Sequence, residues 1–417
     1  MSIVQAGVYS AVATFAKLLS SLAIIKVVAW YAGPEGVGKL GQFLSLMSLV
    51  TVFAGGGIAA GVIKYVAEFR ESVEERLRLL QAATGYTIIA TTVMGAVIVV
   101  FSMPLAVWLL EDKRFYLLLV ALGIAQLMIA MHNLILAIIN GFMDVRRVAL
   151  INIAGSCIAL MITAVLTYYF KLDGALFALI VGQAALLCVS YPLFRRSQWF
   201  ERLMFRPRID WNMYRLLGRY SLMTLTSAAL APIVQISVRN HLSSNFSWEE
   251  AGYWQAVSKV SDAYLLTITM AISVYYLPKL SAIKEKKKLI LELKDAYFFI
   301  MPFVVIFSIF IYFFRDFLTV ILFSEGFINA RDLYAPQLFG DVIKIASFIL
   351  SYLMIAKAMT RTFIFSEIIF SLTYVGFVFV MTREFGLIGV MYAFAVNYFF
   401  YLLFNIFVIK RYIKSLA

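Results

Sequence analysis

The chain has 417 residues, of which 63% are hydrophobic and only 14% charged, and its mean hydropathy is +0.90. A soluble domain is about 45–50% apolar and about 25% charged, so a water-soluble fold, a disordered tail and a secreted disulfide scaffold are all excluded. What remains is an all-α polytopic membrane protein, long enough for about a dozen helices of about 20 apolar residues each. The net charge of +13 then becomes a question of which loops carry it.

The N-terminal stretch MSIVQAGVYSAVATF has no basic region and no cleavage site, and reads as the start of a first helix. Apolar runs follow at 10–32, 38–66, 80–103, 115–140, 148–170 and 173–194. A second set covers 215–241, 250–280, 296–314, 335–357, 361–382 and 386–409. These blocks are too long and too evenly apolar for barrel strands, which alternate over about 10 residues. With both termini cytoplasmic, the inner loops and tail hold 24 Lys and Arg residues and the outer side eight. That asymmetry is the positive-inside rule, so the basic loops call for no nucleic-acid partner. Cys157 and Cys188 sit in apolar runs without a metal or disulfide pattern and read as small core residues.

The longest polar stretch, RRSQWFERLMFRPRIDWNMY (195–214), divides the chain into a six-helix lobe at 1–194, a cytoplasmic linker and a six-helix lobe at 215–417. An internal repeat crosses it. EGVGKL (35–40) resembles EEAGYW (249–254) at an offset of 214, and Met143 and Met359 close the fourth and tenth runs at an offset of 216. Two such halves suit a transporter.

Gly36, Gly38 and Gly41 fit G-x-G-x-x-G, but they lie between two membrane runs with no strand before them, so a Pro/Gly turn opened by Gly33-Pro34 is the better reading. Gly55, Gly56, Gly57 and Gly61 fall inside the second run, where GxxxG favours close helix packing over a hinge. Ser247 to Glu250 forms a capping box that opens the eighth run. Charges inside runs are costly and should face protein, a partner or water. They are Lys17 and Lys26 in the first run, Arg239 in the seventh, and Lys259 and Asp262 in the eighth. Asp341 and Lys344 follow in the tenth and Glu367 in the eleventh. Gln255 shares the polar face of the eighth run. Lys26 is half a turn round from Lys17, so one straight helix does not aim both at one place, and it lies near enough to the outer end to snorkel. For Lys259–Asp262 and Asp341–Lys344 the plain alternative is a neutral pair that fixes packing. No enzymatic triad, metal-ligand spacing or cofactor motif is present, so catalytic residues, metals and cofactors are none.

AGPEGVGKLGQF (32–43), AGGGIAAGVIKYVAEF (54–69), FSWEEAGYWQAVSKVSDAYLLTITMAISVYYLPKLS (246–281) and ARDLYAPQLFGDVIKIASFILSYLMIAKA (330–358) together resemble the Wzx-type lipid-linked oligosaccharide flippases of the MOP (MATE-like) superfamily. The resemblance implies twelve helices in two pseudo-symmetric lobes, a central cavity and alternating access in a bacterial inner membrane. It implies an undecaprenyl-pyrophosphate-linked glycan as substrate, membrane lipids as surroundings, and a periplasmic polymerase and chain-length machinery as partners. On that reading Lys17, Lys26, Arg239, Gln255, Lys259, Asp262, Asp341 and Lys344 are the substrate-binding candidates, and Asp262, Asp341 and Glu367 the candidates for ion coupling. The rival readings are an O-antigen repeat-unit flippase and a MATE-like small-molecule exporter. The exporter should favour buried carboxylates over the lysines seen here.

Overall fold

The computed structural model describes residues 3–272 and 276–415; positions 273–275 of the eighth run lie outside the described residues. No strand occurs among the described residues. The first half comprises α1 (Ile3–Ala54), α2 (Ala59–Glu68), α3 (Val73–Val100), α4 (Ser102–Leu110), α5 (Tyr116–Gly141) and α6 (Val145–Arg195). The second comprises α7 (Trp211–Asn245), α8 (Trp248–Ala271), α9 (Leu277–Ala282), α10 (Lys286–Phe313), α11 (Arg315–Leu322), α12 (Tyr334–Ala356), α13 (Thr360–Phe385) and α14 (Gly389–Ser415). Seven continuous helical stretches are long and apolar enough to cross a membrane, and three of them run to 48, 51 and 56 residues. The protein is a multi-pass membrane protein.

Each of the three long stretches is broken once by a residue with positive φ. The breaks are Gly33 (φ 64°) in α1, Lys171 (φ 50°) in α6, and Gly386 (φ 65°) between α13 and α14. Such a residue cannot continue a right-handed helix. The sequence reading of a Pro/Gly turn opened by Gly33-Pro34 is borne out at Gly33, but the turn is no longer than that one residue. The break is confined to Gly33, Pro34 restarts the helix where its missing N–H costs nothing, and Gly36, Gly38 and Gly41 are helical. The Gly55–Gly57 reading is corrected. Gly56 and Gly57 have φ of 64° and 65° and interrupt the run between α1 and α2, so Gly57 lies outside a helix and its GxxxG spacing with Gly61 forms no packing stripe. The Ser247 cap is present, its hydroxyl accepting from the Glu250 amide at 3.1 Å.

Backbone contacts divide the chain into one unit of Met1–Ala32 with Lys39–Ile236, and a second of Gly33–Gly38 with Ser237–Ala417. In the first unit, Val62, Val66, Leu79, Leu80, Ile138 and Phe194 belong to one buried apolar cluster. The 195–214 segment packs onto this unit. Arg78 pairs with Asp210 at 3.2 Å, Thr84 donates to the Met204 carbonyl at 3.0 Å, and Trp199 stacks on Phe142 with centroids 4.6 Å apart. In the second unit, Gly38 and Gly252 let two helical segments approach. A Cβ on Gly38 would lie 2.7 Å from the Trp248 carbonyl oxygen, and one on Gly252 would collide with the Pro34 carbonyl. Cys157 and Cys188 are both exposed rather than core residues; in a membrane protein an apolar side chain needs no core to leave water.

The repeat is written in the backbone more clearly than in the residue types. Met143 (φ 58°) follows α5, and Ala358 (φ 53°) follows α12, 215 residues later. The Met143 amide donates to the Asn140 carbonyl and the Asp144 amide to Ile139; the Ala358 amide donates to Ile355 and the Met359 amide to Met354. This is the same left-handed helix cap twice. It aligns Met143 with Ala358, one residue away from the Met143–Met359 match. Lys171 and Gly386 repeat at the same offset, as do Gly174 and Gly389, whose added Cβ atoms would strike the carbonyls of Leu166 and Met381.

Candidate functional site

Lys17 and Lys26 belong to the first unit, and Arg239, Gln255, Lys259, Asp262, Asp341 and Lys344 to the second. In the first unit a cavity of about 520 Å³ opens among α1, α5 and α6. Lys17 lines it, is solvent-exposed, and has no ion-pair partner among the described residues. No carboxylate lines this cavity. Lys26 does not line it; its ammonium lies 5.5 Å from the Trp30 ring centroid, so an aromatic face shares its charge.

The second unit gives its polar residues different contact partners. Arg239 is 1% exposed; it donates to Gln255 Oε1 at 2.5 Å and lies over the Trp254 ring at 5.2 Å. Lys259 and Asp262 stand 3.8 Å apart with side chains 32% and 60% exposed, which makes this a weak, solvated pair. The face that reads as continuous from Gln255 to Asp262 is thus split, with Gln255 turned inward and Asp262 outward.

Asp341 is 0% exposed, and its partners are neutral hydroxyls and an amide. Ser261 Oγ donates to both carboxylate oxygens at 2.7 Å, Tyr264 Oη donates at 2.8 Å and Gln337 Nε2 at 3.0 Å. Three donors, with the single Ser261 hydroxyl hydrogen shared between the two oxygens, can hold a buried carboxylate without a counter-ion in contact. Lys344 is half-buried and packs instead against the rings of Phe394 and Tyr398, at 5.5 and 5.6 Å. The contact pair of Asp341 with Lys344 that their spacing allowed does not form. Glu367 is exposed and accepts from Tyr401 Oη at 3.2 Å. Ser261, Tyr398 and Tyr401 were not singled out from the sequence. Only the i,i+3 spacing of Ser261 with Tyr264 and of Tyr398 with Tyr401 could have pointed to them.

The profile of the polysaccharide biosynthesis protein family matches residues 3–284. The chain belongs to that family. It is 33% identical over 373 residues to the lipid III flippase of Escherichia coli (strain K12), covering 88% of each chain, and equally to the lipid III flippase of Shigella flexneri. Among solved structures, it superposes on an inward-facing multidrug resistance MATE family transporter of the MOP superfamily with a TM-score of 0.80, at 16% identity over 96% of each chain. It also superposes on the lipid II flippase MurJ with a TM-score of 0.72, at 14% identity over 97% of this chain and 87% of that one. These relatives are named as flippases and transporters, and none as a catalytic enzyme. The protein therefore has the MATE-like helical fold of a transporter family.

Proposed function

We propose that this protein flips an undecaprenyl-pyrophosphate-linked oligosaccharide, the lipid III of enterobacterial common antigen, from the cytoplasmic to the periplasmic leaflet of the bacterial inner membrane by alternating access. The observation that carries the reading is Lys17, a cation on an apolar helix that stands in a cavity with no carboxylate in its lining. A charge there is costly unless water or an anionic ligand shares the site. The likeness to the lipid III flippases, at 33% identity over 88% of the chain, supports this choice of substrate.

The topology that goes with this has twelve crossings in two six-helix lobes and both termini in the cytoplasm. A 52-residue helix would span about 78 Å at about 1.5 Å per residue, against about 30 Å of hydrocarbon, so α1 crosses twice with its break at Gly33 between the crossings. The same argument holds for α6 at Lys171 and for α13 with α14 at Gly386.

A pyrophosphate does not enter hydrocarbon bare. Lys17, Lys259 and Lys344 supply positive charge for it, while the polyprenyl tail stays in lipid. Outward movement of an anion is downhill by about 2.3 kcal/mol per charge per 100 mV with the cell interior negative. Asp262, Asp341 and Glu367 are the groups that would carry a coupled proton. Complementation of a flippase-null strain tests the lysines. Lys17→Ala, Lys259→Ala and Lys344→Ala should each lower surface glycan, and full rescue by all three overturns the assignment. Flux into vesicles with the potential and the pH gradient set separately tells the two driving forces apart.

A further inference from the structure

The cavity of the first unit holds more polar capacity than an anion needs. Asn133 on α5, and Asn152 and Gln183 on α6, line it, and their side-chain amides make no hydrogen bond among the described residues. Other polar groups of the same wall are already engaged. Ser20 donates to the Ser156 carbonyl at 2.8 Å, Thr163 to the Ala159 carbonyl at 2.7 Å, and His132 pairs with Ser190 at 3.0 Å. The open groups are arranged by depth. Lys17 and Gln183 are exposed at the rim, and Asn133 and Asn152 are half-buried further in.

Each free amide offers both a donor and an acceptor. That matches a ligand rich in hydroxyl or acetamido groups, and it suits neither a cationic drug nor a lipid tail. At about 520 Å³ the cavity falls within the range of small-ligand sites. We infer that this cavity is a specificity-determining sugar subsite, in which Asn133, Asn152 and Gln183 read the sugar joined to the pyrophosphate while Lys17 at the rim takes the phosphate. The inference rests on the flippase reading above and adds the place where the glycan is recognised. Buried polar groups left unmet by the wrong ligand are what make such a site selective.

The test is a binding titration on the full chain in lipid nanodiscs with three probes. One is undecaprenyl pyrophosphate without a sugar, and the others are the same lipid bearing one hexose or one N-acetylhexosamine. The wild-type protein should hold one of the sugar-bearing lipids about tenfold tighter than the bare one. Asn133→Ala, Asn152→Ala and Gln183→Ala should reduce that preference to less than about threefold with bare-lipid binding unchanged. Lys17→Ala should weaken all three probes alike and keep the preference. Should an inner variant lose bare-lipid binding as well, Gln183→Ala, at the exposed rim, decides. Equal binding of bare and sugar-bearing lipids by the wild type, or a preference untouched by all three amide variants, overturns the subsite and leaves the pyrophosphate reading standing. Absence of binding for every probe overturns both.

Discussion

Gln126 in α5 and Asp341 in α12 occupy the same place in the two halves, 215 residues apart, and both are 0% exposed. Asp341 receives hydrogen bonds from Ser261, Tyr264 and Gln337. Gln126 makes none, with both polar atoms of its amide unpartnered among the described residues. The residues that stand where those donors stand are Met47, Val50 and Leu122, all buried and apolar. Thr382 and Thr167 tell the same story. Thr382 is bonded to His241 at 2.8 Å, while the Thr167 hydroxyl has no partner and the position matching His241 is Val27. Elsewhere the halves agree: His132 bonds Ser190, and Asn405 donates to the Ser347 carbonyl, at positions that correspond one for one. The backbone and its caps are duplicated. The partners of Asp341 and of Thr382 are not, and among the described residues the supported buried carboxylate belongs to the second half.

If that carboxylate serves transport, the largest effect should come from Asp341→Asn. It keeps the volume but loses an acceptor, so complementation should fall below about a tenth of wild type, with a loss of about 1–3 kcal/mol in unfolding. Normal transport by this variant would reduce the contrast between the halves to packing. Gln126→Leu tests the other side. Replacing an unpartnered buried amide with an apolar side chain should stabilise the protein by about 1–3 kcal/mol, read as a higher melting temperature in detergent. A smaller contrast is expected at the threonines. Thr382→Val should cost about 1 kcal/mol because it leaves Nε2 of the His241 ring without its partner, whereas Thr167→Val should be neutral or slightly stabilising. The exposed Cys157→Ser should stay within about 0.5 kcal/mol and leave complementation unchanged.

Much of the scaffold was legible in the sequence. The Ser247 cap forms, and among the described residues the apolar runs are helical apart from breaks such as the one at Gly56 and Gly57. Gly38 and Gly252, the pair that carries the 214-residue offset, turn out to meet each other. Less legible was the sorting of the charges. Helical spacing put Gln255, Lys259 and Asp262 on one face, but Arg239 draws Gln255 inward while Asp262 remains in the open. Asp341 and Lys344 have pairing distance in sequence, yet each finds other partners. The equivalence of Met143 with Ala358 is carried by a backbone angle, which residue types do not record.

From the sequence alone came the helical membrane class, the family resemblance and the list of charged residues that interrupt the apolar runs. Those follow from composition, periodicity and local residue order, which are properties of neighbouring residues. The tertiary fold decided which of those charges are held by hydroxyls, which by aromatic rings and which stand open. Ser261 reaches Asp341 across 80 positions of chain, and a hydrogen bond of that kind depends on how helices are brought together rather than on any local pattern.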